Sequence, residues 1–567
     1  MRSQLTALRK KMKERGIDLY IIPTNDYHGS EYVNDYFKCR EYVSGFTGSA
    51  GTLAVRQDFA GLWTDGRYFL QAQQQLSGSG IELMKMGEPE VPDLEDYICD
   101  MPEGSVIAFD GKIVGYRLGE KLERKFNIVQ ELDLIDEIWP DRPAIEPSEI
   151  YAVDLSVTGE SATSKLARVR SQMDDADYLL VSRLDDIAWL FNLRGSDIEN
   201  TPVFYAFALI SKTEAALYVM DKAYRSSDIH VKGYYEIFED LRDLRDSVIM
   251  LDEDSVSYAI AKSLHPSVSR LLHQSPIEKL KAVKNEAEIR ATKNAHIRDG
   301  AAMVNFLFWL KQTIGKTEIT EISLAYYLEA CRRRQGAYDL SFPTIAGYAA
   351  HGAIVHYSAT EDSNAALQDR GLVLIDSGGQ YRDGTTDITR TVALGPLNDA
   401  EKKHYTAVLK SHIALATAAF EAGTTGAQLD ILARKPLKEL GLDFNHGTGH
   451  GVGHMLSVHE GPNIISPRGT RCSILPGMIT TDEPGVYLEG KYGIRIENEL
   501  LCIEQKGKLA FESITLCPYE REAIEIAMLT EDEINYVNGY HEKVCKTLSP
   551  LLEPQVRKWL SQQCRKL

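Results

Sequence analysis

Leu372-Val373-Leu374-Ile375-Asp376-Ser377-Gly378-Gly379, continued by Tyr381-Arg382-Asp383-Gly384-Thr385-Thr386-Asp387-Ile388-Thr389-Arg390-Thr391-Val392, reads as two apolar strands joined by a glycine-containing turn. Pairing the two runs as a hairpin brings Asp376 and Asp387 close together. An aspartate that ends a buried apolar strand is unfavourable unless it is paired, hydrogen-bonded or bound to a metal, because an unpaired buried carboxylate takes up a proton. Either residue alone reads equally well as a turn cap. From Leu340 onward, short β-branched runs are separated by Gly, Pro and Asn clusters. That pattern predicts hairpins rather than a doubly wound sheet. No Gly-rich phosphate loop accompanies them.

Upstream, the sequence changes character. Leu8 to Pro23 reads as a basic helix leading into the strand Leu19-Tyr20-Ile21-Ile22, and Leu166 to Val181 repeats the arrangement with Tyr178-Leu179-Leu180-Val181. Met12 and Met173 fall at matching places. Further strand-like runs follow in each copy, Thr52 to Val55 in the first and Val203 to Ile210 in the second, predicting two related α/β units. Pro140, Pro143 and Pro147 mark an extended connector between them. A second break falls at Ser275-Pro276, after which Asn285-Glu286-Ala287-Glu288 offers a capping-box start to a long helix through Ala301, Val304 and Leu307.

Composition narrows the functional classes. The 567 residues exceed what one core organises and predict two or three domains. With 82 acidic against 63 basic residues, the formal charge of −19 disfavours nucleic acid and anionic membrane surfaces as partners. The eight cysteines form no C-x-x-C pair, which reads as a reducing compartment. The basic N-terminal segment has no signal-peptide core, and no run reaches the ~18 apolar residues that span a bilayer. The expectation is a cytoplasmic protein.

Two further stretches join the aspartates. Asn445 to Pro462 places His446, His450, His454 and His459 among glycines that leave the rings little cover, and clustered imidazoles serve as metal ligands or proton carriers. Thr480-Thr481-Asp482-Glu483-Pro484-Gly485-Val486-Tyr487 ends at a Pro-Gly turn. In Tyr492 to Leu500, period-2 alternation sends Arg495 and Glu497 to one face, the plain alternative being a solvated edge with surface ion pairs. Four carboxylates and one imidazole match the charge of two divalent cations. The oxygen-rich donor set suits Mn²⁺, with Co²⁺, Fe²⁺ or Zn²⁺ also compatible.

These motifs resemble the pita-bread metallopeptidases of family M24, and specifically the long three-domain Xaa-Pro aminopeptidases (aminopeptidase P). The likeness spans the chain. Phe46 to Thr52 and Leu62 to Phe69 resemble that family's first domain, Ile187 to Asp197 its second, and the Asp376-to-Glu497 motifs its catalytic third. The resemblance implies an α/β chain with two creatinase-N-terminal-like domains, 1–147 and 148–276. A C-terminal α+β pita-bread catalytic domain with its tail follows over 277–567. It implies Asp376, Asp387, His450, Glu483 and Glu497 as ligands of two divalent metals bridged by a hydroxide. Glu483 also relays a proton, His356 and His459 act as catalytic histidines, and His446, Tyr487 and Arg495 contact substrate or order the metal shell. His454 departs from the family pattern and reads as a rim residue. The implied reaction releases the first residue from peptides with proline second, by a homodimer. The alternatives are a prolidase restricted to Xaa-Pro dipeptides and a non-enzymatic pita-bread binding protein.

Overall fold

A computed structural model describes residues 2–227, 229–469 and 472–567. The opening methionine of the basic N-terminal segment lies outside them. The chain forms two compact units, one comprising the residues up to Leu155 with Glu160–Ile277, the other Ser156–Gly159 with Glu278–Leu567.

The first unit carries the duplication. One six-stranded sheet runs Glu82–Lys85, Ala60–Thr64, Thr52–Val55, Leu19–Pro23, Val106–Ala108, Asn127–Val129 across its width. The other runs His230–Gly233, Ala215–Val219, Ala206–Ser211, Tyr178–Val181, Val248–Leu251, Ser269–Leu272. Strand order and the sequence of parallel and antiparallel pairings are the same in both. The helices Ser3–Glu14 and Ala162–Arg170 precede the central strands, and Met12 and Met173 are fully buried, Met12 in one cluster with Tyr20 and Ile22 of its central strand. The second-copy strand predicted from Val203 begins at Ala206, the three residues before it being buried but unpaired in the sheet. Within this unit His28 of the first copy reaches the second. Its Nδ1 lies 2.8 Å from the Ser182 carbonyl, and the ring packs 4.4 Å from Phe207.

In the second unit the predicted long helix runs Glu286–Thr313, after the shorter helix Pro276–Ala282. Asn285 accepts from the Ala287 and Glu288 amides while Glu288 accepts from the Asn285 amide, a complete capping box. Leu372–Ser377 pairs antiparallel with Ile388–Ala393 and with Ile345–Tyr348. A six-stranded sheet runs Ala419–Phe420, Lys508–Ser513, Asn498–Gln505, Ile479–Asp482, Gly449–Gly451, Glu460–Ile465. The helices Glu321–Arg334, Asp399–Ala416, Gly426–Lys438, Glu531–Leu548 and Pro554–Gln563 complete this unit. Among the described residues no helix is long and apolar enough to cross a membrane.

Candidate metal centre

The hairpin positions the aspartates as the apolar pattern requires. In Leu372–Ser377 the Asp376 Cα pairs with Thr389, so Asp376 and Asp387 stand at the same end of neighbouring strands. Glu483 and Glu497 occupy the corresponding place in the larger sheet. Asp482 pairs with Asn498, and each glutamate lies one residue beyond that pair. The two sheets meet where the Glu497 amide donates to the Thr389 carbonyl at 3.1 Å. His450 lies in the short strand Gly449–Gly451, and its amide donates to Thr481 Oγ1 at 3.0 Å.

The side chains converge. Donor atoms of Asp387, His450 and Glu497 lie within 4.8 Å of one another, and His450 Nε2 stands 3.5 Å from both Asp387 Oδ2 and Glu483 Oε1. Asp376 Oδ2 accepts from Arg495 Nη2 at 2.6 Å, while its Oδ1 is buried with no hydrogen-bond partner among the described residues. Burial and mutual repulsion push the carboxyls of Asp387 and Glu497 well above the usual carboxylate range. Burial above all, with the Asp376 charge, raises Glu483 to about 7. A buried carboxylate cluster of this kind is satisfied by protons or by cations. The orphaned Asp376 oxygen and the imidazole aimed at two carboxylates fit the donor set of a divalent pair.

A hydrogen-bonded chain leads away from Asp376. Arg495 Nη1 donates to the Tyr487 hydroxyl at 2.7 Å, and that hydroxyl lies 2.8 Å from His446 Nε2. With Nδ1 donating to the Gly447 carbonyl at 2.7 Å, Nε2 accepts from Tyr487. Burial raises the Tyr487 phenol, keeping it a donor. His459 stands edge-on to His450, ring centres 4.4 Å apart. His356 follows the turn Ala349–Ala353, and the carbonyl of its neighbour Val355 accepts from Arg495 Nη2 at 3.4 Å.

Two expectations are corrected. Tyr492 to Leu500 is not one strand, because Tyr492–Arg495 pairs with Gly485–Leu488 whereas Asn498–Gln505 belongs to the large sheet, yet Arg495 and Glu497 still meet on one side, both hydrogen-bonded to Thr389 Oγ1. Both are 1 % exposed, which removes the solvated-edge alternative. His454 is not on a rim. It is buried, its Nδ1 3.0 Å from Thr292 Oγ1 of the long helix.

Residues that sequence reasoning missed hold the cluster from behind. Thr389 Oγ1 donates to Glu497 Oε2 at 2.7 Å, and Thr481 Oγ1 donates to Glu483 Oε1 at 3.4 Å. Glu499 Oε1 accepts from the Asp387 amide at 2.8 Å, with His296 Nε2 3.1 Å from its other oxygen. The available signal was period 2, since Thr481 precedes Glu483 by two residues and Thr389 follows Asp387 by two.

The comparisons agree along the chain. The profile described as metallopeptidase family M24 matches residues 290–504, and that for the C-terminal region of peptidase M24 matches 507–567. The creatinase/prolidase N-terminal domain profiles match 4–138 and 141–288. A protein of Coprinopsis cinerea named probable Xaa-Pro aminopeptidase P is 38% identical over 99% of this chain and 97% of its own length. Aminopeptidase P1 of Lotus japonicus is 38% identical over 99% of each. The crystal structure of X-prolyl aminopeptidase from Caenorhabditis elegans, described as a cytosolic enzyme with a di-nuclear active site, superposes with a TM-score of 0.96 at 34% identity. That match covers 100% of this chain and 99% of that one. Prolidase from Pyrococcus furiosus, at 26% identity and TM-score 0.51, covers 61% of this chain. The chain belongs to metallopeptidase family M24 and, within it, to the group of the Xaa-Pro aminopeptidases.

Proposed function

We propose that this chain is an aminopeptidase that removes the first residue from peptides with proline in second position. Its Asp376, Asp387, His450, Glu483 and Glu497 hold two divalent metals, with Mn²⁺ the metal in use. The observation that carries this reading is the convergence of Asp387, His450 and Glu497 donor atoms within 4.8 Å, together with a buried Asp376 oxygen that has no hydrogen-bond partner among the described residues. Bound divalent metals activate a water near neutral pH and polarise the scissile carbonyl.

The remaining steps belong to the chain. Glu483 accepts a proton as the water oxygen bonds to the carbonyl carbon, and returns it to the proline nitrogen as the C–N bond breaks. His356 and His459 donate hydrogen bonds to the developing oxyanion and to the departing nitrogen. Arg495 fixes Asp376 and Tyr487 together, and Tyr487 holds His446 in the tautomer whose Nε2 accepts. Proline suits such a site because it lacks an amide hydrogen and has a fixed φ, features that general peptidases handle poorly.

The first two domains, 1–147 and 148–276, are proposed to assemble a homodimer, and the protein to work in the cytoplasm. The test is release of arginine from Arg-Pro-Pro by metal-depleted protein before and after Mn²⁺ is returned. Activity only after metal addition is expected, and chelator-resistant activity overturns the reading. An Arg-Pro dipeptide cleaved faster than the tripeptide favours the prolidase instead.

A further inference from the structure

The loop bearing His356 is held by a carboxylate that lies outside the metal cluster. Glu321 is the first residue of the helix Glu321–Arg334, and its side chain is fully buried. Oε1 accepts from the Tyr348 amide at 2.8 Å and lies 2.8 Å from His351 Nδ1. Oε2 accepts from the Tyr357 hydroxyl at 2.9 Å and from the Ala365 amide at 2.9 Å. The first three donors bracket the loop, at its start, at its middle and immediately after His356. The His351 and Tyr357 rings stack at 4.6 Å, closing the bracket on itself. The hydrogen bond that His351 donates to Glu321 raises the His351 pKa, and a carboxylate in a first helical turn is favoured by the helix's free N–H groups.

The opposite side of the loop is fixed to the site. Gly352 packs so closely on Gly493 that a Cβ on Gly493 would stand 1.7 Å from the Gly352 oxygen. Arg495, two residues on, bonds both the Val355 carbonyl and Asp376. Ala349 adopts φ +48, a left-handed conformation that an alanine holds only when its surroundings impose it. Glu321 is the polar group that several of those surroundings share.

We propose that Glu321 is a positioning residue for His356, setting the turn 349–357 through Tyr348, His351 and Tyr357. The proposal rests on His356 acting in catalysis. A residue that only stabilised the fold would change turnover by the same factor whether or not His356 were present. A positioning residue loses its effect once His356 is gone.

The experiment is a double-mutant cycle on the full chain reconstituted with Mn²⁺, using Arg-Pro-Pro and the variants E321Q, H356A and E321Q/H356A. In the wild-type background E321Q is expected to lower kcat roughly 10-fold, with KM changed less than about twofold. In the H356A background the same substitution is expected to change kcat less than about twofold. Effects that multiply overturn the proposal. Wild-type turnover by H356A overturns the reading of His356 itself, and the proposal with it. If E321Q fails to fold, H351Q at a partly exposed position replaces it. A kcat loss of at least about twofold that vanishes with H356A is then expected, and a loss that persists overturns the proposal.

Discussion

Gly493→Ala isolates the packing that sets the His356 loop against the metal site. A Cβ at this position would lie 1.7 Å from the Gly352 oxygen, 2.3 Å from its carbonyl carbon and 3.0 Å from the Ala353 nitrogen. All three are backbone atoms, so no rotamer change relieves the overlap. Ordinary contact starts near 3.4 Å, which demands a displacement of about 1.7 Å between Tyr492–Arg495 and the turn before His356. Misplacement by about 1 Å costs on the order of 10²-fold in rate. The kcat for Arg-Pro-Pro is therefore expected to fall at least about 100-fold, equivalent to about 2.7 kcal/mol on the barrier. The three atoms nearest the added methyl belong to Gly352 and Ala353 and to none of the five proposed ligands, so metal content is expected to fall far less than turnover. The assay is steady-state release of arginine, with metal analysis of the same preparation. Turnover within about threefold of wild type would refute the argument.

Three further outcomes follow from the structure. Burial lowers the His28 pKa from 6.5 to about 4, so the folded chain keeps the ring neutral where the unfolded chain binds a proton. The resulting stability is full above pH 6.5 and is lost as pH falls towards 4, by about 3 kcal/mol in all. Urea titrations across that window should show the loss, and H28F should remove the His28 share of it, leaving that of the buried His541, which is also lowered to about 4. Gly539, inside the helix Glu531–Leu548, has nothing within 4 Å of a built Cβ. G539A should therefore raise stability by about 0.5–1 kcal/mol in thermal unfolding. The buried Arg390 guanidinium donates to the carbonyls of Thr389, Glu497, Cys517 and Pro518 and to Asn498 Oδ1. R390M strands those acceptors and should lower stability by at least about 3 kcal/mol in denaturant titration.

Local pattern revealed much of this molecule. The duplication was visible because the helix and strand periods recur with Met12 and Met173 in register, and the hairpin because two apolar runs flank a glycine turn. The long helix was visible through Asn285 and Glu288, whose cap uses residues three apart. What escaped depends on pairing across distance. Nothing in Ile494 to Leu500 signals that the chain leaves one sheet at Arg495 and enters another at Asn498. Glu321 precedes His356 by 35 positions and meets that loop only through the fold. His454 shares its glycine-rich setting with His450, and only the packing of Thr292 against it shows that it is interior.

The central claim is that five side chains hold two divalent metals. Its most direct test is the metal-to-protein ratio of the Mn²⁺-reconstituted, dialysed chain, measured by plasma mass spectrometry beside D387N. The account predicts about two metals per wild-type chain and a clear deficit in the variant. A wild-type chain that retains no metal, or a D387N chain that retains the full complement, would contradict it.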